Sequence, residues 1–408
     1  MDETIKHINQ YDITDFGAVG NGTTLNTNAV QTAINTAAIK GGVVRIPAGK
    51  FLCGAVFFAP ATHLHLDENA ILIGSDNIDH YPIQPSRIEG VSQNYHTALI
   101  NIKNVDGFSL TGSGTIDGNG LKFWQAFWQR RNENPDCTNL EVGRPRLLFI
   151  WQSNYVSIEG VRLINAGFWT LHFYRCHYLQ VLNCQIFSPR VPVRAPSTDA
   201  IDLDVCSHVL IKGCDISVND DAVSLKGGKG INADKDPDNG LVENVIIEDC
   251  RFGWAHAVLT LGSEAIHCRD ITLRNCRVNG PWILLRYKLR PDTPQIFENV
   301  LVENICGDVD TVLHIKTWTQ FFDPGDAVTL PGSLINNIAL RNLDLSCRMF
   351  AEILTNREDH IDHLCLEDLS IRAENTQINE ALIKNVCRKN LNFTVASYRG
   401  TQGKIDEL

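Results

Sequence analysis

The chain has 408 residues, 47 acidic and 36 basic, for a formal net charge of −11. At 44% hydrophobic it can bury a core, which excludes disorder. The acidic balance argues against non-specific nucleic-acid binding, and no run of eighteen apolar residues offers a membrane-spanning helix.

The first residues, MDETIKHINQYDITDF, hold no apolar segment and no cleavage pattern, so no secretory leader is visible. If Met1 is the native start, a cytoplasmic protein is expected. If a leader was removed, the protein is periplasmic or secreted. Residues 28–39, NAVQTAINTAAI, place Val30, Ile34 and Ala38 at helical spacing, and Gly41-Gly42 stops the pattern. This segment is expected to be an N-terminal capping helix, because an open coil end would expose unpaired strand edges.

Eight segments beginning at Asn154, His177, Ser207, Glu243, Arg269, Glu298, Asn336 and Asp362 align without gaps, their starts 23 to 38 residues apart. Each carries an aliphatic residue at its third and fifth positions, from Val156 and Ile158 to Leu364 and Leu366. That is the period-two signature of a strand with one buried face. The connections are polar and too short for helical crossovers, and the leucine-rich template is absent. The pattern predicts an all-β chain, a right-handed parallel β-helix with main coils over 98–372. Coils that bury their faces only against one another make one domain over 1–408, with 376–408 as a C-terminal cap or tail. This overrides the two or three domains suggested by length. The final KIDEL resembles a retention tail only by accident.

The eighth position of the units reads Val161, Cys184, Cys214, Cys250, Cys276, Ile305, Leu343, Leu369. A ladder of small apolar side chains predicts buried thiols, without disulfides, among the thirteen cysteines. No cysteine or histidine cluster has metal spacing, so no metal or cofactor is expected.

A further strand precedes each unit: TDAIDLD, DDAVSLK, AHAVLTLG, ILLRYK and TVLHIK. Aligned on their last residues, Leu203, Leu225, Leu261 and Ile315 point inward. The alternate positions hold Asp202, Asp204, Ser224, Lys226, Thr260, Arg286, Lys288, His314 and Lys316, and Asp199, Asp220, Asp221 and His256 stand at the strand starts. Parallel strands lie ~4.8 Å apart, so these side chains form a patch with carboxylates at one end and cations at the other. Asp alone would suit turn chemistry. Three on adjacent rungs repel, with no structural return, and raise one pKa. The cations, with Arg290, suit an anionic ligand, and the carboxylates suit acid and base work on a glycosidic bond. Trp124, Trp128, Trp169, Trp282 and Trp318 flank the patch in sequence and offer faces for sugar rings.

The motifs STDAID, NDDAVSLK, AHA followed by LGSE, and RYK, in this order, resemble the NTD, DD, GHG and RIK motifs of the polygalacturonases, glycoside hydrolase family 28. The entry segment DFGAVGNGTTLNTNAVQTAI is similar to that of many pectin-active β-helices. The resemblance implies a hydrolase of α-1,4-linked galacturonic acid, with inversion. It implies Asp220 as general acid, Asp199 and Asp221 on the attacking water, and His256 tuning the acid. Arg286 and Lys288 would bind the galacturonate carboxylate. The patch and its flanking aromatics, read from the residues themselves, add Lys226, Asp202, His314, Lys316 and Trp318 to the substrate-binding set. The partner is then an acidic galacturonan, and the protein a monomer. Ser197 stands where the family has Asn, Ala255 and Ala257 replace both glycines of GHG, and Tyr287 is the middle residue of RYK. Long loops at 187–198, 227–242 and 317–333 favour exo over endo action. The alternatives are a calcium-dependent lyase cleaving by β-elimination, since three carboxylates also suit calcium, and a non-catalytic pectin-binding β-helix.

Overall fold

The computed structural model describes residues 9–320 and 330–398. The chain divides into two compact units, one ending at Asp220 and the other beginning at Asp221. Both are built from coils of the right-handed parallel β-helix that the alternation predicts.

In the first unit three parallel ladders run side by side. One leads from Gln10–Asp12 through Gly42–Ile46, Thr62–Leu66, Ser109–Gly112, Ser157–Glu159 and His177–Leu182 to Ser207–Lys212. A second leads from Gly49–Cys53 to Asp215–Ser217. The third, which matters for function, stacks Val56–Phe58, Ile100–Lys103, Leu148–Trp151, Leu171–Tyr174 and Ile201–Asp204. In the second unit the corresponding face stacks Val223–Lys226, Ala257–Leu261, Ile283–Leu289 and the end of Gln295–Thr317. Rungs continue to Val386–Val395, so parallel pairing extends beyond 98–372 at both ends. The hairpin Ile83–Ile88 and Val91–His96 is antiparallel.

The aligned units hold position by position. Ile158, Val181 and Ile211 are in register in the first unit, and Val245, Ile271, Val300, Ile338 and Leu364 in the second. All are buried, as are Val161, Cys184, Cys214, Cys250, Cys276, Ile305, Leu343 and Leu369. No described cysteine is in a disulfide. The thiols donate weakly to nearby carbonyls, Cys184 Sγ to Leu182 O at 3.3 Å and Cys250 Sγ to Glu248 O at 3.2 Å.

What turns the corners is a second periodicity. The second and seventh residues of the units are left-handed: Tyr155, Tyr178 and His208, then Asn183 and Gly213, and in the other unit Asn244, Asp249, Asn275, Asn299, Asn304 and their equivalents. That conformation is disfavoured for most side chains, and Asn, Asp and Gly tolerate it best. Corner side chains then pair between rungs, Asn299 Nδ2 donating to Asp270 Oδ1 at 2.8 Å and Asn337 Nδ2 to Asn299 Oδ1 at 2.9 Å. Where the corner residue is aromatic the rings stack instead, Tyr155 on Tyr178 at 4.8 Å and Tyr178 on His208 at 4.7 Å.

The first helix, α1, spans Thr27–Lys40 and buries Val30, Ala33, Ile34 and Ala37; Ala38, expected inside, is only half-buried. Its Gln31 amide exchanges two 2.9 Å hydrogen bonds with the backbone of Phe57, which satisfies an edge residue of the third ladder. A second helix, α2 (Leu121–Glu133), was not anticipated.

Candidate active site

The loop that reads as an insertion, 187–198, ends at Asp199. Ser188 is its anchor. The Ser188 and Thr198 hydroxyls are hydrogen-bonded at 2.7 Å, and Ser188 Oγ accepts from Asn219 N at 3.0 Å. One buried hydroxyl therefore touches the residue before Asp199 and the residue before Asp220. Asp199 is buried, and its carbonyl accepts from Thr170 N at 2.8 Å. Asp220 is partly exposed, and each carboxylate offers an oxygen within 4.8 Å of the other. Unlike surroundings for two close carboxylates are what separate acid and base roles demand.

Asp202 and Asp204 belong to a different layer, fully buried. Arg87, from the antiparallel hairpin, donates from Nε to Asp204 Oδ2 at 2.9 Å. His172 lies in register with Asp202, and its Nδ1 accepts from Arg146 NH1 at 2.7 Å, which leaves Nε2 to carry the proton, 3.7 Å from Asp204. Burial alone would push the Asp204 carboxyl up, but Arg87 and His172 outweigh it and hold it below the usual range. Arg146 is pushed down to about 10 by burial, against the opposing influence of Tyr95, Asp202 and Asp204. Asp202 therefore sits beside a buried cation, not on an open face. Trp124 and Trp169 are core as well; Trp124 Nε1 donates to Ala166 O at 3.0 Å, and Trp169 packs with Ile88, Tyr95 and Phe168. Trp128 is half-buried beneath Arg194, whose guanidinium lies 4.7 Å from its ring.

In the second unit the aligned register holds residue for residue: Ser224 beside Thr260, then Arg286, then His314, with Lys288 beside Lys316. Lys288 Nζ reaches Asp221 Oδ2 at 2.7 Å, and Arg286 NH1 lies 3.9 Å from Oδ1. The Arg286 guanidinium sits 5.5 Å from the ring of Trp282 and 5.0 Å from that of Trp318, and Lys288 Nζ is 4.9 Å from Trp318. These alternating side chains point away from the coil yet are mostly buried, because they and the tryptophans cover one another. The Lys288 side chain, 12% exposed, is the partner of a buried carboxylate. Gly262, opposite Lys288, has φ +98, and a Cβ there would come within 2.7 Å of the Lys288 carbonyl, so the rung admits no side chain.

His256 is half-buried with its ring edge-on to Trp282, 6.2 Å away. The flanking Ala255 and Ala257 are core residues, and so is Tyr287, which packs against Phe297 inside the coil. The changes from GHG and RIK therefore alter the interior behind the face. Lys226 pairs with Glu264 at 3.4 Å. Burial would push Glu264 up, but Lys226, Lys229, Arg290 and the Ser263 hydroxyl together drive it far below the carboxylate range. Arg290 is not part of the cation face, for its guanidinium is held by Asp292 and by the carbonyl of Gln320. His314 is pushed down to about 3, first by burial and then by Arg286, Lys316 and Lys288. A neutral ring therefore faces Glu352 at 3.5 Å, and Lys316 lies 3.8 Å from the same carboxylate. Residues 321–329 of the loop 317–333, and the KIDEL end, lie outside the described residues.

The profile of glycosyl hydrolases family 28 matches residues 20–315. The chain belongs to that family. A probable polygalacturonase from Vitis vinifera is 33% identical over 226 residues, covering 53% of this chain and 44% of that protein. An exopolygalacturonase from Zea mays is 26% identical, over 73% of this chain and 68% of its own length. Among solved structures, an exopolygalacturonase from Thermotoga maritima shares the fold, with a TM-score of 0.75 at 20% identity over 97% of this chain and 96% of that one. Sequence reasoning foresaw the family 28 motifs but not Ser188, Arg87, Arg146, His172 or Glu264. The string LGSE contained Glu264; the others gave no signal, because each acts through a partner distant in the chain.

Proposed function

We propose that this chain is a polygalacturonase that hydrolyses α-1,4-linked galacturonic acid in pectin or oligogalacturonides. Water attacks directly, with inversion, and units leave from a chain end. The reading is carried by Asp199 and Asp220, two carboxylates with oxygens within 4.8 Å of each other and in unlike surroundings, in a family 28 chain. Glycoside hydrolysis needs one carboxylic acid at the leaving oxygen and one carboxylate on water. Asp220 takes the first role, and Asp199 and Asp221 take the second. His256 tunes the acid's protonation. Arg286 and Lys288, desolvated against Trp282 and Trp318, take the galacturonate carboxylate through charge-assisted hydrogen bonds. The names of the relatives from Zea mays and Thermotoga maritima favour exo action.

Proton NMR of the first-formed product tests the mechanism. A β-anomer from an α-linked galacturonide is expected, and an α-anomer would overturn direct water attack. Inverting pairs usually stand ~6.5–9.5 Å apart, and the anomer decides whether this pair inverts. An ultraviolet-absorbing unsaturated product, lost with a chelator, would replace hydrolysis by elimination.

A further inference from the structure

Arg144 has no counterpart among the residues assigned above, yet it is one of the largest fully buried side chains. Its guanidinium lies between two rings, 4.3 Å from Phe127 of α2 and 4.3 Å from Phe168. NH1 donates to Pro196 O at 2.8 Å, and NH2 donates to Asn139 O at 3.0 Å and to Ser197 Oγ at 3.3 Å. Burial pushes the group down to about 10, so it stays a cation at any working pH, and its hydrogen bonds are charge-assisted.

The two residues it grips immediately precede Thr198 and Asp199. Ser197 has φ +53, a left-handed conformation. Asn adopts that region readily, because its short amide bonds locally, and Ser does so much less. The turn that delivers Asp199 is therefore not favoured by its own residue and needs an external hold. The flat, ring-clamped Arg144 supplies one, at the carbonyl before the turn and at the hydroxyl on it.

We infer that Arg144 is a positioning residue for Asp199, imposing through Pro196 and Ser197 a left-handed turn that Ser197 does not favour by itself. This rests on the reading that Asp199 acts on the attacking water. A misplacement of ~1 Å at a reacting group costs about 10²-fold in rate, so Arg144 governs kcat more than substrate affinity.

Steady-state kinetics on a defined oligogalacturonide test this, with Arg144→Met, Ser197→Ala, Ser197→Asn and the double variant Arg144→Met/Ser197→Asn. Arg144→Met is expected to lower kcat by about 10²-fold with KM within about threefold. Adding Ser197→Asn should restore about tenfold of kcat, since Asn holds the turn itself. Ser197→Ala, which removes only the hydroxyl, should lower kcat by several-fold with Tm unchanged, and it serves as the decisive variant if Arg144→Met does not fold. A double variant as slow as Arg144→Met, or a Ser197→Ala enzyme with wild-type kcat, overturns the inference. Asp199→Asn separates the two readings. If it keeps kcat, the role of Asp199 is wrong. If it loses kcat while the Arg144 and Ser197 series does not respond as expected, only the positioning role is wrong.

Discussion

The two units each hold a buried carboxylate facing an arginine, and the two environments are opposite in kind. Around Asp204 the set is closed: Arg87 donates to Asp204, Arg146 donates to His172, and Arg87, His172 and Asp204 are wholly buried. Around Asp221 it is open: Lys288 is bonded at 2.7 Å but keeps part of its side chain accessible, Arg286 stands off at 3.9 Å, and both rest on tryptophan faces. Both carboxylates face a guanidinium, Asp204 at the end of its strand Ile201–Asp204 and Asp221 just before Val223–Lys226. Access separates them, because a desolvated ion pair with no entry path serves the fold, and one with an accessible cation can exchange its partner for a ligand.

Substitutions can break this contrast. The largest effect is expected at Asp220, the accessible carboxylate of the first unit. Asp220→Asn should lower kcat by about 10²–10⁴-fold with an unchanged Tm. A substrate with an activated leaving group should recover much of that loss, and it should recover little in Asp199→Asn. Equal recovery in both would remove the division of roles.

Next comes the closed set. Arg87→Met leaves Asp204 buried without its main partner and should destabilise by about 3–5 kcal/mol, with KM unaltered in the protein that remains folded. Lys288→Ala should lower kcat/KM on galacturonides by about 10- to 150-fold, from the lost charge-assisted contact of ~1.5–3 kcal/mol. Because Arg286 stays near Asp221, its Tm loss should be smaller than that of Arg87→Met. Chemical denaturation and kinetics of both variants check the contrast, which fails if Arg87→Met acts on turnover or Lys288→Ala acts on stability alone.

His314 gives a pH signature. Its folded pKa is about 3, below the unfolded ~6.5. A depressed value means that the folded state resists protonation. The neutral ring's contribution is therefore present above ~6.5 and is lost progressively as pH falls toward 3. Tm measured from pH 7 to pH 4 should fall more steeply in the wild type than in His314→Gln. Parallel curves would refute burial among Arg286, Lys288 and Lys316 as the cause.

The smallest effect is at Cys250. The ladder alone suggests about 1–3 kcal/mol for Cys250→Ser, for want of a partner for the hydroxyl. The Glu248 carbonyl, 3.2 Å from Sγ, supplies that partner. The cost should fall to about 1 kcal/mol, read from urea denaturation.

The coil was legible because a parallel β-helix repeats its constraints. Every third and fifth residue of a unit faces the same interior, so the alternation from Val156 to Leu366 declares itself in one dimension. The register of Arg286, His314, Lys288 and Lys316 followed from the same alignment. The left-handed corners were present as Asn, Asp and Gly at the second and seventh positions, but tyrosines at two of them obscure that pattern.

What the sequence by itself determined is the repeating part: the strand faces, the cysteine ladder, and the order in which Asp199, Asp220, Asp221, His256, Arg286 and Lys288 come along the chain. What only the tertiary structure decided is which charges are open and which are closed. Arg87 meets Asp204 across 117 residues, and Arg144 meets Ser197 across 53. Arginines beside Pro, Gly and Ser in loops look like solvated charge, and nothing local marks them as buried. Their partners lie on other coils, and the pairing exists only once the coils stack. Repetition is a local property of the chain, whereas desolvation is a property of whatever the fold places around a group.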